Sequence, residues 1–224
     1  TTLFRSTFNN ADTGTLTITP ALLTATVEDT SKTYGQANPE FPVTVTGFMN
    51  GETPASLGAG YVAPTASSAA TTTTPVSNVP ITISGGVSAN YVFNTSDQGI
   101  LTISKAVLTA TVEDATRPYG QDNQTFAVTV TGFVNGETAE TAAGYAAPTA
   151  SSTAVAGTNV GTASITISGG SATNYSFNTT DTGILTITPV VLTSTVGDAS
   201  KSYGEDNPIF PVTVAGFVNG ENQD

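Results

Sequence analysis

The residues of this chain best placed to do chemistry are carboxylates, and they recur in register. Asp29, Asp114 and Asp198 each follow a strand-like run; Asp12, Asp97 and Asp181 stand two residues before a glycine; Glu52, Glu137 and Glu221 follow Asn-Gly. Carboxylates so placed offer three chemistries. They could ligate calcium, which takes clustered oxygen donors. A pair of them could hydrolyse a glycosidic bond. They could also accept backbone N–H groups in Asx-type turns. Calcium is the lesser reading, because no spacing matches an EF-hand or a glycine-aspartate nonapeptide repeat. One would-be ligand also drops out, since Glu28 and Glu113 become Gly197 in the third occurrence. A catalytic pair would set one copy apart, whereas these residues repeat in each. Turn chemistry is therefore the expectation, with no catalytic residue, no metal ligand and no cofactor assigned, and the ligand-binding residues left unknown.

Two other chemistries are weighed and set aside. Lys32 and Lys201 occupy equivalent positions, which would suit a Lys–Asn isopeptide crosslink, but the intervening equivalent is Arg117. A guanidinium does not form that amide, and Lys105 aligns with Pro20 and Pro189. Alternating Thr-x-Thr runs could suggest an ice-binding face, yet threonine on the solvent side of a strand needs only its β-propensity as a reason.

Composition narrows the field further. The chain has no histidine, cysteine or tryptophan. Without His and Cys there is neither a Ser/His/Asp nor a Cys/His constellation, and a zinc site is disfavoured. With 5 Lys+Arg against 17 Asp+Glu the net charge is −12, which repels nucleic acid and anionic membranes. Charged residues make up only 10% of the chain, so Thr and Ser must cover much of the polar surface, a composition that suits an extracellular β-protein. No run is long and apolar enough to span a bilayer, and no membrane insertion is expected within this segment. The chain lacks a visible signal peptide and does not start with Met, so it reads as a piece of something longer.

The elements that must position these residues come in a tandem array. Tyr34-Gly35 returns as Tyr119-Gly120 and Tyr203-Gly204, and Asn50-Gly51-Glu52 as Asn135-Gly136-Glu137 and Asn219-Gly220-Glu221. The period is about 84 residues, and fixed-period self-similarity marks repeat architecture. Period-2 alternation predicts half-buried strands at Leu23–Val27, Phe41–Val45, Ile81–Ile83, Tyr91–Phe93 and Leu101–Ile103, each with its copies. Short strands after Tyr61 and Tyr145 and a helical turn within 52–57 are further expectations. The apolar parity reverses within 104–107, which predicts that one copy's last strand runs almost directly into the next copy's first. The boundaries follow: 1–20 as the end of a preceding copy, where Phe8 and Asp12 align with Phe93 and Asp97; 21–105 and 106–189 as complete copies; 190–224 as the start of a third.

The Tyr34-Gly-Gln-Ala-Asn38-Pro39 run, with Thr46-Gly-Phe48-Met-Asn50-Gly-Glu52, Asn90-Tyr91 and Gly99-Ile-Leu101-Thr-Ile103, resembles the MBG-type (Tyr-Gly-x) repeat domain of bacterial cell-surface and adhesin-like proteins. The resemblance covers nearly the whole chain. It implies a surface or secreted protein and brings no catalytic residues. The expected fold is all-β, a tandem array of Ig-like β-sandwich units, with β-grasp-like units as the rival. The expected function is a structural spacer or stalk in a surface or secreted adhesin-like protein. The alternatives are repeats that bind a glycan or protein ligand by avidity, or a subunit of an extracellular filament. Expected partners are neighbouring repeats or protomers of the same protein. Tyr34, Tyr119 and Tyr203 are expected as buried anchors, and Glu137→Gln as a change of little consequence for folding unless the carboxylate caps its turn.

Overall fold

A computed structural model describes residues 13–223. Phe8 and Asp12, which the sequence aligns with Phe93 and Asp97, lie outside the described residues. Thr13–Thr19 carry no regular structure. The elements of the first copy are β1 (Ala21–Val27), β2 (Thr30–Thr33), β3 (Val43–Thr46), a single helical turn α1 (Pro54–Leu57), β4 (Val62–Ser68), β5 (Asn78–Val87), β6 (Tyr91–Asn94) and β7 (Gln98–Ser104). The second copy gives β8 (Ala106–Val112), β9 (Ala115–Pro118), β10 (Val128–Thr131), β11 (Ala146–Ser151), β12 (Gly161–Ser171), β13 (Tyr175–Asn178) and β14 (Thr182–Thr188). The third supplies β15 (Thr193–Val196) and β16 (Val212–Ala215). The chain is thus an all-β tandem repeat.

The fold divides into two compact units. The first holds residues up to Lys32, Ala37–Thr71 and Ser77–Ile103; the second holds Thr33–Gln36, Thr72–Val76 and everything from Ser104 onward. In the first, β3-β1-β6 form a three-stranded sheet and β2-β7-β5-β4 a four-stranded one. In the second, β10-β8-β13 and β11-β12-β14-β9 repeat that order.

Strand alternation decides which side chains are buried. Along β7 the buried residues are Gly99, Leu101 and Ile103; along β8 they are Ala106, Leu108, Ala110 and Val112. Ser104 and Lys105 are both exposed, so the parity reversal expected within 104–107 falls there. Only Lys105 separates the two strands. In the second unit both sheets contribute to one core: Ala110, Val112, Phe126, Ile165, Ile167, Leu185 and Ile187 pack together, with Val128 and Val130 against them. The first unit buries the equivalents Ala25, Val27, Ile81, Ile83, Leu101 and Ile103.

Two features depart from simple expectation. The sheets are mixed, not antiparallel throughout: β1 runs parallel to β6, β8 to β13 and β14 to β9. Immunoglobulin sheets are antiparallel. Here the parallel pairings are four residues long and join strands with four others between them in sequence, which supply the long crossover that a parallel pair needs. The helical turn forms at Pro54–Leu57, where the Thr53 hydroxyl accepts from Ser56 N and the Ser56 hydroxyl accepts from Thr53 N, a reciprocal cap. It buries no residue, so it covers no sheet in the way a β-grasp helix would. No helix among the described residues is long and apolar enough to cross a membrane.

Candidate functional site

Each complete copy builds a polar node on its Asn-Gly-Glu turn. Asn50 and Gly51 take positive φ (54° and 73°), as do Asn135 and Gly136 (56° and 71°), which brings the following glutamate back toward the sheet. The Tyr91 hydroxyl accepts from Met49 N at 2.9 Å and donates to Glu52 Oε2. The Tyr175 hydroxyl likewise accepts from Val134 N at 3.1 Å and donates to Glu137 Oε2. An aromatic run stands beside each node: Tyr91, Phe48, Tyr61 and Phe93 in one copy, and Tyr175, Phe133, Tyr145 and Phe177 in the other, with centroids 5.6–6.0 Å apart. Phe93 and Phe177 therefore belong with these rings. Burial, and secondarily the bond to Glu137, pushes the Tyr175 phenol up to about 12. The bond to Glu52 is the main cause raising Tyr91.

A second cluster shapes the Tyr-Gly turn. Lys32 is buried and donates from Nζ to Asn38 Oδ1 (2.8 Å) and to the Thr71 carbonyl (2.6 Å), while Asn38 Nδ2 donates to the Ala70 carbonyl (2.7 Å). Desolvation lowers the Lys32 pKa. Arg117 does the same work in the second copy: Nε reaches Asn123 Oδ1 (2.7 Å), Nη2 the Val155 carbonyl (2.7 Å), and Asn123 Nδ2 the Ala154 carbonyl (2.6 Å). The structure thus brings Lys32 and Asn38 together, but the contact is one that a guanidinium makes equally well. The role is ionic hydrogen bonding, which both cations share. The turn is closed by Gly35 N to the Thr72 carbonyl and Gly120 N to the Ala156 carbonyl, both 3.1 Å.

Within the second compact unit, the Tyr-Gly turn of one copy seats on the Asn-Gly-Glu turn of the next. Tyr34 Oη donates to Glu137 Oε1 at 3.0 Å, and its ring meets Tyr175 edge-on at 5.6 Å. Asn135 Nδ2 donates to the Thr72 carbonyl (3.0 Å), and Val76 N to Asn174 Oδ1 (3.1 Å). A Cβ placed on Gly35 would stand 2.5 Å from Val134, so only glycine fits. The pattern repeats one period on. Tyr119 Oη donates to Glu221 Oε1 (2.6 Å), Asn219 Nδ2 to the Ala156 carbonyl (3.3 Å), and a Cβ on Gly120 would meet Val218 at 2.5 Å. The expectation that the three motif tyrosines are buried anchors needs correction. Tyr34 is 4% exposed, Tyr119 is half-buried and Tyr203 is 107% exposed. The next copy's turn bonds both Tyr34 and Tyr119, and Tyr119 also packs against the core of its own copy.

The repeated aspartates also bond to backbone, though not within their own turns. Asp97 Oδ2 accepts Val27 N (2.9 Å) and Asp29 Oδ1 accepts Ile100 N (2.6 Å). Asp181 and Asp114 repeat this on Val112 N (2.9 Å) and Ile184 N (2.7 Å). Each pair is a reciprocal tie between the end of a copy's first strand and the start of its last, some 70 residues apart in sequence. Among the described residues no three His, Cys, Asp or Glu side chains gather as a metal cluster would. An open hollow lined by Glu28, Asp29, Glu40 and Phe41 recurs in the second copy, lined by Glu113, Asp114 and Phe126.

Sequence reasoning marked the carboxylates and the Tyr-Gly pair but missed Tyr91 and Tyr175 as their partners, and Asn38 and Asn123 as the relay. The signal that could have found them is the same periodicity, since Asn38 returns at Asn123 and Asn207, and Tyr91 at Tyr175. No curated protein matches the chain in sequence. The family model of the MBG domain, YGX type, matches residues 23–102, 108–186 and 192–224. Its defining Tyr-Gly pair is the turn that docks on the following copy, and the chain belongs to this family of MBG domains as an array of them.

Proposed function

We propose that these repeats are structural spacers in a bacterial surface or secreted adhesin-like protein. The observation that carries this reading is the use made of the recurrent polar residues. Tyr175, Glu137, Asp114, Asp181, Arg117 and Asn123 each hold backbone or a neighbouring turn, and their equivalents in the first copy do the same. A spacer needs copies that fold alike and turns that hold their backbone, and this is what such bonding supplies. The two sheets around one core support a sandwich description of the unit, with a mixed strand order of its own. An extracellular setting agrees with the Thr-rich, sparsely charged composition. The array carries no catalytic centre and needs no cofactor in this reading.

The test is to change repeat number in the parent surface protein displayed on cells. The reach of its distal element should grow with each added copy while the affinity of that element stays constant. Saturable binding of this chain to a glycan panel, lost on altering Tyr61 or Tyr145, would overturn the spacer reading in favour of ligand binding.

A further inference from the structure

The Asn-x-Ser/Thr triplet is the pattern that accepts an N-linked sugar, and acceptance requires that it lie in the surface. The chain carries four such triplets: Asn94-Thr95-Ser96, Asn123-Gln124-Thr125, Asn174-Tyr175-Ser176 and Asn178-Thr179-Thr180. The fold separates them into two kinds. Asn123 is tied at both ends of its carboxamide, Oδ1 to Arg117 Nε and Nδ2 to the Ala154 carbonyl. Asn174 is 6% exposed, and its Oδ1 accepts Val76 N. Asn94 and Asn178 are exposed, each the last residue of an edge strand, β6 or β13. A three-residue loop then leads into β7 or β14, and its last residue, Asp97 or Asp181, is pinned to Val27 N or Val112 N.

At both exposed triplets the asparagine oxygen is held twice. Asn94 Oδ1 accepts Ser96 N (3.1 Å) and Ser96 Oγ (2.7 Å), and Asn178 Oδ1 accepts Thr180 N (3.1 Å) and Thr180 Oγ1 (2.8 Å). An Asx turn needs only the backbone donor, so the hydroxyl is surplus to the turn. Among the described residues no acceptor takes the Nδ2 hydrogens of Asn94 or Asn178. We infer that Asn94 and Asn178 are acceptors for an N-linked sugar, delivered by a glycosyltransferase from a glycosyl phosphate donor. Nδ2 attacks the anomeric carbon, the bond from that carbon to the phosphate oxygen breaks, and the phosphate leaves with the electron pair. One Nδ2 proton passes to a base of the transferase. A carboxamide nitrogen is a poor nucleophile until that proton goes, and two donors on Oδ1 draw charge to the oxygen and acidify it. The equivalent triplet of the preceding copy, Asn9-Asn10-Ala11, lacks the hydroxyl and is no acceptor. The inference needs only that the chain meet such a transferase, and it stands apart from the spacer reading.

To test this, the protein is isolated from the cells that make it, and its peptides are fragmented by electron transfer, which places a sugar on a given side chain in the mass spectrum. Sugar is expected on Asn94 and Asn178 and not on Asn9, Asn123 or Asn174. Ser96→Ala should remove it from Asn94 alone and Thr180→Ala from Asn178 alone, with the melting temperature unchanged because the backbone bond remains. Two further arms identify the donor. The full chain made without sugar is incubated with the soluble cell fraction and a nucleoside-diphosphate hexose, or with the membrane fraction and its own glycolipids. Transfer in the first arm assigns a nucleotide-linked donor, and in the second a lipid-linked one; the isolated protein decides the inference itself. Bare Asn94 and Asn178, sugar on the Ser96 or Thr180 hydroxyl instead, equal occupancy at Asn174, or modification that survives Ser96→Ala and Thr180→Ala would overturn it.

Discussion

Glu137 shows how far a single side chain depends on its neighbours. Taken as a turn residue, it should tolerate replacement by Gln; yet its two oxygens take hydroxyls from Tyr34 and Tyr175. Hydrogen bonds to a charged group contribute about 1.5–3 kcal/mol. Glu137→Gln should therefore lower stability by roughly that amount in a urea titration, and an unchanged midpoint would show the node to be dispensable. Tyr175→Phe should cost about 1–3 kcal/mol, because it strands Glu137 Oε2 and Val134 N. The same phenol sets a pH limit. Its folded pKa of about 12 lies above the unfolded value of roughly 10. Raised in the fold, it contributes stability that is complete below pH about 10 and is lost as pH climbs toward 12. Denaturant midpoints measured across that window should fall in the native chain and fall less steeply in Tyr175→Phe.

Among the elements, the turn that carries the Tyr-Gly pair is shaped by a cation whose identity is free to vary. Lys32 and Arg117 make the same contacts, so Arg117→Lys should change stability by less than about 1 kcal/mol. Arg117→Ala leaves Asn123 Oδ1 and the Val155 carbonyl without the cation that holds them and should cost about 1–3 kcal/mol. Equal losses for both substitutions would mean that the guanidinium itself is required. On the sheet side, Phe126 packs in the second core at 9% exposure, and Phe126→Ala should cost about 3–5 kcal/mol in a thermal or urea melt. The strands themselves were legible, since alternation at Leu101–Ile103 and Leu108–Val112 located both strands and the parity reversal between them. Pairing was not legible. Alternation says which side faces inward but nothing about which strand lies alongside, so the parallel pairs β1–β6 and β8–β13 left no trace in it. The seat of Tyr34 was hidden for a related reason, because its partners lie about 100 residues downstream, in the next copy.

At the scale of the chain, the third copy contributes a single hairpin among the described residues. β15 and β16 pair, yet Val196, Phe210 and Val212 stay exposed where their equivalents in the second copy, Val112, Phe126 and Val128, join the core. Amide exchange should therefore be fast across Thr193–Ala215 and slow in β8 and β14, because exposed ladder bonds open without unfolding a core. Equal protection in all three copies would contradict this. Calcium at the repeated aspartates would bind the folded chain and raise its melting temperature. Their oxygens already hold Val27, Ile100, Val112 and Ile184 N–H groups, so melts with calcium and with chelator should coincide.

The pairing of β1 with β6 carries a consequence for synthesis. Ala21 finds its parallel neighbour at Tyr91, and Ala106 finds its own at Tyr175. At about 5–20 residues per second, roughly 4–14 s separate the emergence of those partners from a ribosome. Each nascent copy thus waits with its first sheet open, its apolar hairpin uncovered as in Thr193–Ala215, until the far strand arrives. Folding along the array becomes a stepwise clock with one tick per copy, and for seconds at a time the youngest copy is a lone hairpin ahead of its own core.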